Sequence, residues 1–159
     1  MEINKIVCIR DKKELQWCRY LRDWNSIPVF VTSDGRDSRS ALYKDGTSFF
    51  ILSGNLIKKP DEGHIHNRLW HEVAHLFFQD AWKPWDIRYE FRADLVSAAT
   101  TSRALTISRL YALKKLSSNL QIQDYLDKRL ANMYSTSNIY TKESALYMLG
   151  SLKPVTVIK

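Results

Sequence analysis

Five consecutive residues, His71-Glu72-Val73-Ala74-His75, have the residue types and the spacing of a metal site with an adjacent base. Two histidines at positions i and i+4 of a helix project from the same face, with Cβ atoms about 6 Å apart. Two neutral imidazoles at that separation can bind one Zn²⁺ ion, which accepts nitrogen ligands in a tetrahedral shell. Glu72 points toward the open coordination position, where it can accept a proton from a water molecule that the metal acidifies. The segment therefore predicts zinc-dependent hydrolysis; the alternative is a pair of core or surface histidines on an amphipathic helix.

The third ligand has to be a carboxylate, because none of the four histidines follows the motif. Asp80 is close on the same helix, and Asp86 is positioned to cap the next one. Glu90 and Asp94 lie at i and i+4 of that second helix, so both side chains can face the first. We assign Glu90 to the metal and Asp94 to the outer N–H of His71, whose tautomer it would fix. The alternative for this pair is a solvated helix face.

Two further histidines precede the motif in His64-Ile65-His66. They could donate hydrogen bonds near the site or form a weak second metal site, but we expect them to be surface positions at the start of a helix. No stabiliser of a reaction oxyanion other than zinc is identifiable. Tyr89 and His66 are candidates, although core or surface roles are expected for both.

The hydrophobic pattern predicts the elements that position these residues. Apolar side chains recur with a period of 3.6 around the motif, and β-branched and aromatic runs flank the hairpin signal Asp45-Gly46. We expect an α+β fold, zincin-like, with a small, mostly antiparallel sheet of about three strands packed against the HExxH helix and several further helices. The predicted strands span residues 27–32, 41–43 and 48–52, and the predicted helices include residues 11–23, 64–79 and 86–101.

Charge is unevenly distributed along the 159 residues, whose formal net charge is +7. Residues 101–159 hold nine Lys and Arg against three Asp and Glu. We expect one domain, residues 1–159, in which residues 104–159 form a basic helical C-terminal portion. This portion could bind an acidic protein or nucleic acid directly, through residues such as Lys114, Lys115, Lys128 or Arg129. The commoner interpretation of such residues is a solvated helical surface.

The remaining composition indicates the compartment. No run of about 18 apolar residues predicts a membrane span, and the first residues lack the apolar core of a signal peptide. The two cysteines, Cys8 and Cys18, are too few to indicate a disulfide framework. We therefore expect a cytoplasmic protein with reduced thiols and no membrane partner.

Together the HExxH helix and the segment Tyr89-Glu90-Phe91-Arg92-Ala93-Asp94 resemble the ImmA/IrrE metallopeptidase family over about residues 15–115. That family usually shows HExxH followed by Glu-x-x-Ala-Asn/Asp on the next helix, and it often has glycine where Ala74 stands. The helices after about residue 115 match nothing in this pattern. The resemblance implies a zinc peptidase that cleaves a DNA-binding transcriptional repressor, commonly in phage, mobile elements or stress responses.

Two functions follow from these patterns. The first is a gluzincin-type endopeptidase with Zn²⁺ held by His71, His75 and Glu90 and with Glu72 as its catalytic base. The second is a non-catalytic regulatory protein that keeps the metalloprotease scaffold and binds a protein or nucleic-acid partner through its basic C-terminal helices. The intact Glu72 favours the first, because a binding module has no need of a base.

Overall fold

The computed structural model describes residues 7–9, 18–32, 38–43, 45–58 and 61–155 and has an α+β fold. Within these ranges the strands precede the helices along the chain. The strands are β1 (Val7–Ile9), β2 (Cys18–Trp24), β3 (Ile27–Thr32), β4 (Arg39–Tyr43) and β5 (Ser48–Leu52). The helices are α1 (Gly54–Lys58), α2 (Glu62–Phe78), α3 (Ile87–Thr100), α4 (Arg103–Lys115), α5 (Leu120–Ser135) and α6 (Lys142–Gly150).

The sheet is mixed and, in the described part of the chain, has five strands in the order β1-β4-β5-β3-β2. The prediction of about three mostly antiparallel strands was therefore wrong in both the number and the relative orientation of the strands. β3 runs parallel to β5, and β1 runs parallel to β4, whereas the β2–β3 and β4–β5 pairs are antiparallel. Every residue of β3 and β5 is buried. Continuous apolar runs of this kind are typical of strands covered on both faces.

The hairpin predicted at Asp45-Gly46 is confirmed. β4 and β5 pair on either side of it, and Gly46 has a φ of 82°, a conformation that a side chain would strain. Asp45 Oδ1 accepts hydrogen bonds from the backbone N–H of Thr47 at 3.0 Å and from its hydroxyl at 2.7 Å. An aspartate that bonds to the backbone two residues on stabilises such a turn.

The helix predicted over residues 11–23 is wrong where the structure describes it, because residues 18–24 form strand β2. Asn25 and Ser26 have φ values of 49° and 66° and join β2 to β3. Two consecutive left-handed residues make the tight turn whose twist matches an antiparallel hairpin. Asn25 and Ser26, which the sequence predicts to follow a helix end, therefore form a hairpin turn. Residues 11–17 of the predicted helix lie outside the described residues.

Helix α2 lies against the sheet and carries the HExxH motif. Asp61 caps its first turn by accepting a hydrogen bond from the backbone N–H of His64 at 3.2 Å. Its apolar side chains, including Leu69 and Val73, pack with β-strand residues such as Val29 and Phe50 in the main core. None of the helices in the described ranges combines the length and the apolar character needed to cross a membrane.

Helices α4 and α5 form a second core with α3. Leu95, Leu110, Leu126, Leu130 and Met133 are buried together there. The helices predicted after residue 104 are thus present, but their basic residues are not all on the surface. Arg109 and Arg129 are buried, which corrects the expectation of a surface position for Arg129.

Because Leu69 is 0% exposed between α2 and the sheet, we expect Leu69→Ala to lower the free energy of unfolding by about 2–5 kcal/mol. Leu116→Ala is a matched control, because Leu116 is 82% exposed, and it should change stability by less than about 0.5 kcal/mol. Urea denaturation followed by circular dichroism measures both. Equal effects would contradict the packing of α2 described above.

Candidate metal centre

Three side chains from α2 and α3 converge on one point in the interior. His71 Nε2 lies 2.9 Å from Glu90 Oε2, His75 Nε2 lies 3.3 Å from the same oxygen, and the two Nε2 atoms are 3.1 Å apart. The i, i+4 spacing places both imidazoles on one face of α2, and α3 brings Glu90 opposite them. All three residues are buried, and they form a group that could hold a metal ion.

The dimensions of this group fit a tetrahedral ion. Zinc bonds of about 2.0–2.2 Å separate the ligand atoms of a regular tetrahedron by about 3.3–3.6 Å. The three observed separations are 2.9, 3.1 and 3.3 Å, so an expansion of a few tenths of an ångström would complete one face. Two imidazole nitrogens and one carboxylate oxygen also leave a fourth position open, as catalytic zinc sites do.

Each histidine has a carboxylate on its outer nitrogen. His71 Nδ1 lies 3.0 Å from Asp94 Oδ1, and His75 Nδ1 lies 2.8 Å from Asp80 Oδ2. A proton on Nδ1 that is donated to such a carboxylate leaves the Nε2 lone pair for a metal. Asp94 therefore lies at the outer nitrogen of His71, as the i, i+4 spacing of Glu90 and Asp94 predicts. Asp80 holds His75 in the same way, a role that the sequence analysis did not assign.

The position of Asp80 depends on how α2 ends. Gln79 caps the helix in a left-handed conformation, with φ 55° and ψ 43°. The following 3-10 turn, Asp80–Trp82, directs the Asp80 side chain back to His75, five residues earlier. Arg92 stacks over the Phe78 ring and forms an ion pair with Asp80. No spacing rule predicts this contact, because it requires a single left-handed residue that is not glycine.

The electrostatics of the group favour positive charge beside Glu90. Burial acts to raise the pKa of Glu90, but His75 and His71 hold it well below its usual range. Burial likewise acts to lower the pKa of His75, but the charge of Glu90 and the hydrogen bond to Asp80 raise it to about 10. Burial lowers the pKa of His71 despite its contacts with Asp94 and Glu90. A bound cation would satisfy the same carboxylate.

Asp94 is also the centre of a buried ion cluster with the C-terminal helices. Arg129 donates to both carboxylate oxygens, from Nε at 2.8 Å and from Nη2 at 2.7 Å. Arg109 Nη2 adds a third contact at 3.2 Å, and its Nε donates to Asn67 Oδ1 at 2.6 Å. Although burial raises the pKa of Asp94, Arg129 and His71 together hold it far below the ordinary value. Four helices thus meet at one carboxylate.

Glu72, the predicted base, is 1% exposed and lies beside an arginine. Its Oε1 atom is 3.1 Å from Arg68 Nε, one turn earlier on α2, in an ion pair without the alignment of a hydrogen bond. Arg68 Nη2 donates to the Ser38 carbonyl at 2.6 Å. The charge of Glu72 also contributes to the raised pKa of His75. Glu72 therefore follows His71 on α2 and is buried beside Arg68.

The remaining candidates have other contacts. His66 is half-exposed, with Nε2 3.6 Å from Glu62 Oε2, and His64 lies near Asp61 and Ser108. The Tyr89 ring lies under Lys83 and Arg92. In the described part of the chain these three residues do not join the group formed by His71, His75 and Glu90.

Comparisons with protein-family models, curated proteins and solved structures give no match to this chain. Functional inference therefore depends on the chain's own site: a buried His71, His75 and Glu90 group with a carboxylate behind each histidine.

The purified protein is expected to bind about one equivalent of zinc, and Glu90→Ala should lose most of it because only two ligands remain. His66→Ala is the matched control, since this histidine lies on the same helix with a half-exposed side chain outside the group. Elemental analysis after dialysis measures the zinc content. Equal zinc in wild type and Glu90→Ala would exclude Glu90 as a ligand.

Removal of the Asp94 charge should destabilise the fold even without metal. Asp94→Asn keeps the shape but removes the buried carboxylate that Arg109 and Arg129 both bind, which costs about 3–5 kcal/mol. Asp127→Asn, which breaks an exposed pair with Lys114, should have little effect. Denaturation in the presence of a chelator separates this loss from any loss of metal. A small effect at Asp94 would mean that the arginines find other partners.

Proposed function

We propose that this protein is a zinc-dependent endopeptidase of the gluzincin type, with a zincin-like arrangement of the α2 helix against the sheet. The observation that carries the proposal is the convergence of His71 Nε2, His75 Nε2 and Glu90 Oε2 within 3.3 Å of one another. Two nitrogens and one oxygen around an open fourth position suit catalytic zinc, whereas closed structural sites have four protein ligands.

The chain's residues would divide the chemistry as follows. His71, His75 and Glu90 would hold zinc, which would supply the Lewis acidity that polarises the scissile carbonyl and acidifies the attacking water. Glu72 accepts the proton of that water and returns it to the leaving amine, so that it acts first as base and then as acid. Asp94 and Asp80 keep the two imidazoles in the tautomer that presents Nε2. Glu90 completes the ligand set from the facing helix.

The proposed substrate is a protein, specifically a DNA-binding transcriptional repressor. This part of the proposal comes from the resemblance of the HExxH and Glu90-x-x-Ala-Asp94 segments to the ImmA/IrrE family. A cytoplasmic location is proposed on a different ground, because the two cysteines are too few to indicate a disulfide framework. Because Glu72 and the three proposed ligands are buried, a substrate reaches them only if neighbouring segments move apart.

The closed site also favours a second candidate, a metal-binding regulatory protein that does not hydrolyse peptides. The contact of Glu72 with Arg68 is the specific observation, because a base held by a buried guanidinium is less available to water. The C-terminal helices offer a partner fewer exposed, unpaired basic side chains than the sequence predicts. Arg109 and Arg129 are internal, and Lys114 and Lys128 pair with Asp127 and Asp124.

The substitution Glu72→Gln separates the two candidates. It should reduce peptide cleavage at least about a hundredfold while zinc stays bound, because the amide cannot accept the proton. Glu62→Gln, an exposed carboxylate at the start of the same helix, should retain full cleavage. The assay is incubation of the zinc-loaded protein with a proteome-derived peptide library, read by mass spectrometry. No cleavage by zinc-loaded wild type, or equal cleavage by Glu72→Gln, would refute the peptidase proposal.

A further inference from the structure

Among the described residues, Arg129 is the most deeply buried charged side chain that the proposed chemistry does not use. It is 0% exposed and lies on α5, 35 residues beyond Asp94 and outside the segment that resembles a metallopeptidase. Its guanidinium has three kinds of neighbour around the metal centre. It binds Asp94 through two hydrogen bonds, donates to the Tyr125 hydroxyl at 3.2 Å, and has Nη2 3.9 Å from Glu90 Oε2.

This arrangement connects α5 to two of the three proposed ligands. Asp94 can hold His71 Nδ1 only if its own carboxylate is fixed, and the fork of Arg129 fixes both of its oxygens. Glu90 is approached directly by the same guanidinium. Arg109 supports Asp94 through one oxygen only. Arg129 is therefore the one described side chain that contacts Asp94 through both oxygens and also approaches Glu90.

We propose that Arg129 is a positioning residue for the metal centre, which sets its affinity for zinc by holding Asp94, and thereby His71, in the ligating geometry. The inference rests on the metal-binding part of the proposed function and does not require peptidase activity. It makes the C-terminal helices part of the metal site. A buried positive charge near Asp94 would by itself stabilise the fold. The two parallel hydrogen bonds of the planar Arg129 guanidinium also fix the orientation of the Asp94 carboxylate.

Arg129→Lys tests the geometry separately from the charge. Lysine keeps the positive charge near Glu90 but cannot form two parallel bonds to Asp94. We expect zinc affinity to fall about tenfold, the lower end for loss of an outer-shell partner. Competition with a chromophoric zinc chelator measures the affinity on protein shown to be folded by circular dichroism.

Arg103→Lys is the matched control. Arg103 also ties α4 to the end of α5, but through the carbonyl oxygens of Met133 and Thr136, away from the ligands. The zinc affinity of the Arg103→Lys variant should stay within about threefold of wild type, a smaller change than the tenfold decrease expected when an outer-shell partner is lost. If both lysine variants weaken zinc equally, Arg129 acts only through helix packing and the proposal is overturned.

Tyr125→Phe tests the same link in a variant that should fold even if Arg129→Lys does not. It removes the hydroxyl that accepts from Arg129 Nη1 and leaves the aromatic packing intact. A measurable decrease in zinc affinity is expected, and unchanged affinity in Tyr125→Phe, or in folded Arg129→Lys, overturns the proposal. Wild type without zinc affinity refutes the metal site and this inference together. Zinc-binding wild type that cleaves nothing refutes only the peptidase.

Discussion

The interaction on which the rest of the structure depends is the pairing of buried charges around Asp94. A carboxylate removed from water is tolerated only when cations and hydrogen-bond donors surround it. His71, Arg109 and Arg129 supply these from three different helices, α2, α4 and α5. The helices can therefore pack in few other ways, because any shift would leave one of these groups unmatched in the interior. The apolar contacts of the cores add stability to the helix arrangement that these ion pairs favour.

The same charges determine what the centre can bind. Glu90, Glu72, Asp94 and Asp80 are all buried within the helical half of the protein, and each lies beside an arginine, a histidine or both. At the candidate metal centre, however, the imidazoles of His71 and His75 both lie beside one carboxylate oxygen of Glu90. A divalent cation there would interact with Glu90 in a medium of low dielectric constant, where each charge acts more strongly than in water. Selectivity for zinc over harder ions would come from the two nitrogen ligands.

Local patterns predicted the parts of this protein that depend on neighbouring residues. The i, i+4 spacing brings His71 and His75 together on one helix, and the turn chemistry of Asp45-Gly46 specifies one hairpin. The errors occurred where pairing with another segment decides the structure, whether that segment is adjacent in sequence, as β3 is to β2, or distant. Residues 18–24 form a strand because they pair with β3. Arg129 is buried because it binds the buried carboxylate of Asp94 on another helix. The hydrophobic pattern of a single sequence does not show which residues pair across the fold. A basic residue on an amphipathic helix is therefore predicted to lie on the surface.

The long separation between Asp94 and Arg129 has a consequence for the order of assembly. During synthesis on a ribosome, α2 and α3 emerge with the histidines, Glu90 and Asp94 before α5 emerges, since 35 residues separate the two partners of the central ion pair. Both helices depend on local contacts, whereas the contact of Asp94 with Arg129 requires a loop that closes only after α5 has emerged. Completion of the centre is thus tied to completion of the helical C-terminal region.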